Sequence, residues 1–179
     1  GHSVGEVAAA WACGALDLEA AIRVIIARSG AQREQRGTGR MAAVGLSLEA
    51  MQVVMAEMGR AINITIAGIN SPKNLTLSGS SADLERIQSH LAPKGVFFRL
   101  LDLDYAFHSC QMDPIQEPLL ASLAGLQART APGPAFVSTV TGSVLDGDQL
   151  VAEYWWRNVR EPVQFSEAIS TLNGLGCRR

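Results

Sequence analysis

The stretch from residue 40 to residue 102 constrains the chain most, because short apolar runs and helical periodicities alternate there in a fixed order. Met41 to Gly45 is a brief apolar run that suits a strand. Leu48 to Met58 has helical spacing. Ile62, Ile64 and Ile66 alternate within Ile62 to Gly68, which predicts a strand with one apolar face. Asn70-Ser71-Pro72-Lys73-Asn74 is a turn, and Leu75 and Leu77 alternate in the strand after it. Ser80 and Asp83 have capping-box spacing, and the helix they open carries Leu84, Ile87 and Leu91 before Pro93 ends it. Val96 to Leu101 supplies a fourth strand. The order β-α-β-β-α-β is that of a ferredoxin-like split unit.

The flanks have a different character. Residues 4 to 13 predict a short helix ending at Gly14. Asp17 can cap a second helix through Ala20, Ile22, Val24, Ile25 and Ile26. That helix is apolar nearly all round, which predicts burial against a sheet. The polar segment Gln32 to Gly39 is a junction. After residue 102, Met112 to Leu123 predicts a helix, with Pro114 tolerated near its start and Pro118 causing a kink. Ala135 to Val140 predicts a strand, and Gly142 and Gly147 flank a turn. The aromatic segments Tyr154 to Asn158 and Pro162 to Phe165 fit no simple pattern.

Composition narrows the function classes. Of 179 residues, 47% are apolar, and 15 basic residues face 17 acidic ones. A general nucleic-acid binder needs a basic excess that is absent here. Cys13, Cys110 and Cys177 are too widely spaced for a zinc site or a disulfide framework, which suggests a reducing compartment. No apolar run reaches membrane-spanning length.

The chemistry centres on Gly1-His2-Ser3-Val4-Gly5, which fits G-x-S-x-G. Such a turn needs small residues where strand passes sharply into helix, and it presents the serine oxygen outward. The N–H of Val4, at the helix start, is placed to serve an oxyanion. A serine nucleophile needs a base. Of the three histidines, His90 suits a solvated helix surface. His2 suits support of the elbow, because neighbours across a tight turn point apart. His108 lies at the seam where the split unit ends, a favoured place for a functional group. Its orienting acceptor is left open: Asp102 and Asp104 are near, and a backbone carbonyl serves as well. Arg28 suits either a cation near a helix C-terminus or a two-pronged clamp for a substrate carboxylate.

Taken together, Gly1-His2-Ser3-Val4-Gly5-Glu6, Arg28, Tyr105-Ala106-Phe107-His108-Ser109 and Tyr154-Trp155 through Phe165 resemble the malonyl-CoA acyl carrier protein transacylase family. The resemblance is greatest to the acyltransferase domains of modular type I polyketide synthases, and it runs the length of the chain. It implies an α/β-hydrolase-like large subdomain, its N-terminal part missing, with an inserted ferredoxin-like small subdomain. The implied division is 1–39 for the elbow and following helices, 40–102 for the small subdomain, and 103–153 for the large subdomain continued. Residues 154–179 then form the end of the domain and the start of a linker. The resemblance also implies a second oxyanion-hole donor, a glutamine in a Gly-Gln-Gly segment upstream of Gly1. The chain is thus expected to be the later part of a domain, unstable and inactive alone.

By the same resemblance, Ser3 carries the acyl group, His108 is the base and Arg28 holds the malonyl carboxylate. The carbonyl of Glu161, ahead of Pro162-Val163-Gln164-Phe165, orients the imidazole. Val4, His2, Tyr105 and Phe107 border the substrate. Malonyl-CoA is the expected donor and the phosphopantetheine thiol of an acyl carrier protein the acceptor, with no tightly bound cofactor and no metal. Ketosynthase and linker domains of the same polypeptide are the expected neighbours, in the cytoplasm, without nucleic acid or membrane. Selectivity is mixed: Phe107 and Val4 resemble malonyl enzymes, whereas Tyr105 resembles methylmalonyl ones. A methylmalonyl-selective enzyme, a serine hydrolase or thioesterase, and a non-catalytic scaffold are the alternatives.

Overall fold

Gly1 to Gly5 turn directly into α1 (Gly5–Ala12), and α2 (Leu18–Arg33) follows after a positive-φ glycine at position 14. In this computed structural model, residues 1–59 and 62–177 are described. Only the first glycine of the elbow is sterically required. A Cβ on Gly1 would lie 2.2 Å from the backbone of Gly5, whereas a Cβ on Gly5 meets nothing among the described residues. The expectation that close packing excludes side chains at both glycines is therefore corrected: Gly5 sits on an uncovered face of α1.

Asp17 caps α2 through the N–H of Ala20. The expected burial of α2 against a sheet does not hold. One stripe, Ala21, Val24 and Arg28, faces the core, while Ile22, Ile25 and Ile26 are 38–66% exposed. Apolar composition did not specify a partner for the second face, and none of the described residues covers it.

The split unit follows as β1 (Arg40–Val44), α3 (Leu48–Met58), β2 (Ile64–Ser71), β3 (Asn74–Gly79), α4 (Ser81–Leu91) and β4 (Phe98–Leu100). Its antiparallel sheet has the order β2-β3-β1-β4, with β1 paired to both β3 and β4. Ser47 and Ser80 cap the two helices, the latter through the N–H of Asp83 as the capping box predicts. Ala42, Val44, Leu75 and Leu77 of the sheet pack against Met51, Val54, Leu84 and Ile87 of the helices. β4 is shorter than Val96 to Leu101, but Gly45 and Leu101 extend its pairing with β1 by single hydrogen bonds.

The larger lobe has its own core, built from α1, α2, α5 (Gln116–Ser122) and α6 (Ala152–Arg160). A short 3₁₀ turn, Cys110–Ile115, precedes α5. The chain thus changes helix type ahead of Pro118 rather than kinking at it. Pro118 falls in the first turn of α5, where its missing N–H leaves no bond unmade.

The strand expected over 135–140 is only β5 (Phe136–Val137), paired with β6 (Val144–Leu145). Ser138 ends it: its hydroxyl accepts from the N–H groups of Val140 and Thr141, folding the chain into a turn closed by Gly142 at φ 73°. The aromatic segment resolves as α6, with Tyr154, Trp155 and Val159 buried in the large-lobe core, and α7 (Phe165–Gly174) follows. Arg178 and Arg179, at the end of the span read as linker, lie outside the described residues.

The lobes join at one seam. Val163, between α6 and α7, forms a parallel bridge with Gly68 on the edge strand β2. Its N–H bonds the Ala67 carbonyl and its carbonyl accepts from Ile69. The segment leaving β4 runs along the same seam, where Ser78 donates to the carbonyl of Phe107 at 2.5 Å.

Candidate active site

Ser3 has a positive φ of 50°, and His108 one of 59°. Residues without glycine's freedom hold that conformation at a cost of about 1–3 kcal/mol each, and only where the surroundings fix it. Ser3 is fixed by the turn into α1, through Gly5 N–H to His2 and Glu6 N–H to Ser3. His108 is fixed by its N–H, which bonds the carbonyl of Val159 on α6.

The two residues meet although 105 positions separate them: Ser3 Oγ lies 2.9 Å from His108 Nε2. The other ring nitrogen, Nδ1, lies 2.9 Å from the carbonyl oxygen of Glu161. A carbonyl only accepts, so Nδ1 carries the proton, Nε2 is the acceptor and the Ser3 hydroxyl donates to it. Of the acceptors left open, the one that Nδ1 meets is the Glu161 carbonyl. The Glu161 side chain points elsewhere, into a two-pronged pair with Arg157 at 2.8 and 3.1 Å.

Arg28 reaches the same hydroxyl. Its Nη2 donates to Ser3 Oγ at 2.7 Å, and its Nη1 donates to Asn158 Oδ1 at 2.6 Å. Arg28 is 4% exposed, and its Nε has no hydrogen-bond partner among the described residues. Burial lowers its pKa to about 10, against an opposing pull from Glu6, so it stays charged at neutral pH. His108, also 4% exposed, is pushed down to about 3 by burial first and by the Arg28 charge second, which keeps the imidazole neutral.

Two residues that sequence reasoning left without a role complete the cluster. Glu6 is fully buried and accepts from Tyr154 Oη at 2.8 Å, from Asn158 Nδ2 at 2.5 Å and from the backbone N–H of Thr139. Burial and the Glu6 charge push the Tyr154 phenol well above its ordinary range, so it remains a donor. Glu6 lies within the first turn after Ser3, facing inward beside Val7 and Ala10. A carboxylate at an apolar face was the available signal. Asn158 had none, because α6 was not legible.

The remaining candidates divide. Tyr105 and Phe107 stack on each other, with ring centroids 4.8 Å apart and planes within 10°. His2 turns to the seam, with Nε2 3.0 Å from Asn70 Oδ1 and its ring 5.2 Å from that of Phe165. The side chain of Val4 lies on the exposed apolar face of α1 and α2 beside Trp11 and Ile26, so only its backbone adjoins Ser3. His90 is at the surface beside Glu57 and Lys94. Among the described residues no cluster of acids, histidines and cysteines suits a metal ion, and no helix is long and apolar enough to cross a membrane.

A serine hydroxyl on a strained elbow, hydrogen-bonded to a neutral imidazole with a fixed tautomer, has the arrangement of an acyl-transferring enzyme. Residues 1–176 match the acyl transferase domain family, and the chain belongs to it. It is an enzyme of the acyltransferase class, of the kind typical of modular type I polyketide synthases.

A polyketide synthase of Streptomyces halstedii is 41% identical over 99% of this chain, and an erythronolide synthase of Saccharopolyspora erythraea is 38% identical over 98% of it. The chain spans only 2% and 5% of those relatives' own length. Among solved structures, the acyltransferase domain from module 8 of the salinomycin polyketide synthase superposes with a TM-score of 0.92 at 35% identity. That match covers 98% of this chain and 41% of the other. The likeness bears out the two-lobe architecture, a larger α/β core with a smaller inserted lobe built on a sheet.

Proposed function

We propose that this chain transfers a malonyl unit from coenzyme A, through an ester on Ser3, to the phosphopantetheine thiol of an acyl carrier protein. The observation that carries the reading is the convergence of a neutral imidazole and a buried guanidinium on one serine hydroxyl. His108 Nε2 accepts the hydroxyl proton as Ser3 Oγ attacks the thioester carbon. The C–S bond breaks, and coenzyme A leaves as the thiol, taking the proton back from the His108 imidazolium, which returns the imidazole to its neutral form. In the second half-reaction the carrier thiol gives its proton to His108 and attacks the ester, and Ser3 recovers a proton as it leaves. The N–H of Val4, next in the chain after Ser3, is the donor this reading assigns to the developing oxyanion. The Glu161 carbonyl holds the imidazole in the productive tautomer throughout.

Arg28 distinguishes this reading from a simple esterase. A buried cation is costly, and a donor with a free carboxylate repays it through two parallel hydrogen bonds. The Phe107 ring, stacked on Tyr105, favours malonyl over a branched donor, because a phenyl group leaves less room beside the base than a smaller side chain would. Neighbouring ketosynthase and linker domains and a cytoplasmic setting belong to the same proposal.

Two measurements on the full-length protein test it. Intact mass after exposure to malonyl-CoA should show a malonyl adduct that Ser3→Ala abolishes. Labelling that persists in Ser3→Ala refutes the ester. Arg28→Ala should depress malonyl transfer far more than acetyl transfer, and equal losses refute the clamp.

A further inference from the structure

Arg28 is a buried cation with no carboxylate oxygen in ion-pair contact among the described residues. The nearest anion in the network is one amide away. Asn158 Oδ1 accepts from Arg28 Nη1 at 2.6 Å, while Asn158 Nδ2 donates to Glu6 Oε2 at 2.5 Å and to the Ser3 carbonyl at 3.3 Å. Glu6 meets donors on every side, from Asn158, Tyr154 and the Thr139 backbone. An ionised carboxylate, which only accepts, matches that surround.

We infer that Glu6 and Asn158 are positioning residues that dictate which edge of the Arg28 guanidinium is open to a carboxylate-bearing acyl donor. The inference rests on the clamp reading of Arg28. Glu6 accepts from Asn158 and so fixes which end of that amide is the oxygen. The oxygen then takes Nη1, the outer nitrogen. What remains is the side edge, Nε and Nη2: Nε is buried with no hydrogen-bond partner among the described residues, and Nη2 points at Ser3. That edge presents two parallel N–H groups, the geometry that grips a carboxylate. Direct contact between Glu6 and Arg28 would occupy donors and cancel the charge that the substrate needs. The amide spacer lets Glu6 balance a buried cation without competing for it. Glu6 and Asn158 thus select for acyl donors with a free terminal carboxylate, although neither touches the donor.

The test compares kcat/KM for malonyl-CoA and acetyl-CoA in the full-length protein and in Arg28→Ala, Glu6→Gln, Glu6→Asp and Asn158→Asp. In Glu6→Gln one end of the side chain becomes a donor, so either the Thr139 N–H or the pair Asn158 Nδ2 and Tyr154 Oη meets an amide nitrogen; the acceptor-only lock on Asn158 is weakened and the charge that balances Arg28 is lost. The malonyl-to-acetyl ratio should fall about tenfold to a hundredfold, chiefly through the malonyl KM. Glu6→Asp keeps acceptors only and should recover part of the ratio. Asn158→Asp sets an anion directly on Arg28 and should lower the ratio as Glu6→Gln does.

An unchanged ratio in Glu6→Gln beside a collapsed ratio in Arg28→Ala overturns the inference and leaves the clamp standing. An unchanged ratio in Arg28→Ala overturns both. Equal falls for the two donors, or failure of both Glu6→Gln and Asn158→Asp to fold, assign the pair a structural role alone and refute the inference.

Discussion

Acylation of Ser3 should be insensitive to acid over a range where an ordinary histidine base would fail. His108 is held at about 3 against an ordinary value of 6.5, by burial and by the Arg28 charge. At about pH 5 an imidazole with the ordinary value is only about 3% neutral, a loss of roughly thirtyfold in base-dependent rate. With the lowered value it is about 99% neutral, and essentially no rate is lost. The assay is single-turnover acylation by malonyl-CoA, followed by quenched mass spectrometry between about pH 5 and pH 8, read as kcat/KM so that the free enzyme is reported. A neutral-base mechanism predicts a flat profile down to the lower limit. Arg28→Ala removes a lowering influence, so any acid limb should move upward in that variant. A limb near the ordinary histidine value in the wild-type protein, or one unmoved by Arg28→Ala, would refute the reasoning.

The same shift makes folding stability fall as the medium is acidified. The unfolded chain binds a proton at His108 below the ordinary value of 6.5, which the folded chain refuses until about 3. Denaturant titrations should thus show wild-type losing about 2 kcal/mol more than His108→Gln between about pH 7 and pH 5. Phe107→Ser should raise methylmalonyl use relative to malonyl by about 1–3 kcal/mol at most, measured with both donors in competition. An unchanged ratio moves selectivity away from Phe107. Gly147→Ala should lower the melting temperature, because its Cβ would fall 2.5 Å from the Arg129 carbonyl and 2.7 Å from Ala15 Cβ. Overpacking of that kind costs about 1–3 kcal/mol. Gly5→Ala should hold or raise stability by up to about 1 kcal/mol, since alanine has less freedom to lose on folding than glycine and the added methyl meets nothing among the described residues.

What the sequence determined by itself was whatever is governed by near neighbours in the chain. The alternation Ile64-Thr65-Ile66, the capping serines at 47 and 80 and the stop after Leu91 are local devices, and the order β-α-β-β-α-β follows from them. The elbow was legible for the same reason, since a tight turn needs glycine within a few residues of the serine. Tertiary structure alone decided the rest. The strand at 136 stops early because the Ser138 hydroxyl captures two backbone N–H groups. The buried face of α2 is a narrow stripe, because burial depends on what packs against a helix and not on its composition.

The candidate site divides along the same line. Ser3 and His108 were identifiable as residue types in motifs, but their 2.9 Å contact depends on the seam where Val163 bridges Gly68. The carbonyl facing His108 Nδ1 carried no side-chain signature, because every residue has a carbonyl. Glu6 and Asn158 lie 152 positions apart, and only the packing of α6 against α1 and α2 makes them a network around Arg28. A sequence specifies which groups are present. The fold specifies which of them lose their water together, and that shared burial keeps His108 neutral and lowers the Arg28 pKa, though not far enough to remove its charge.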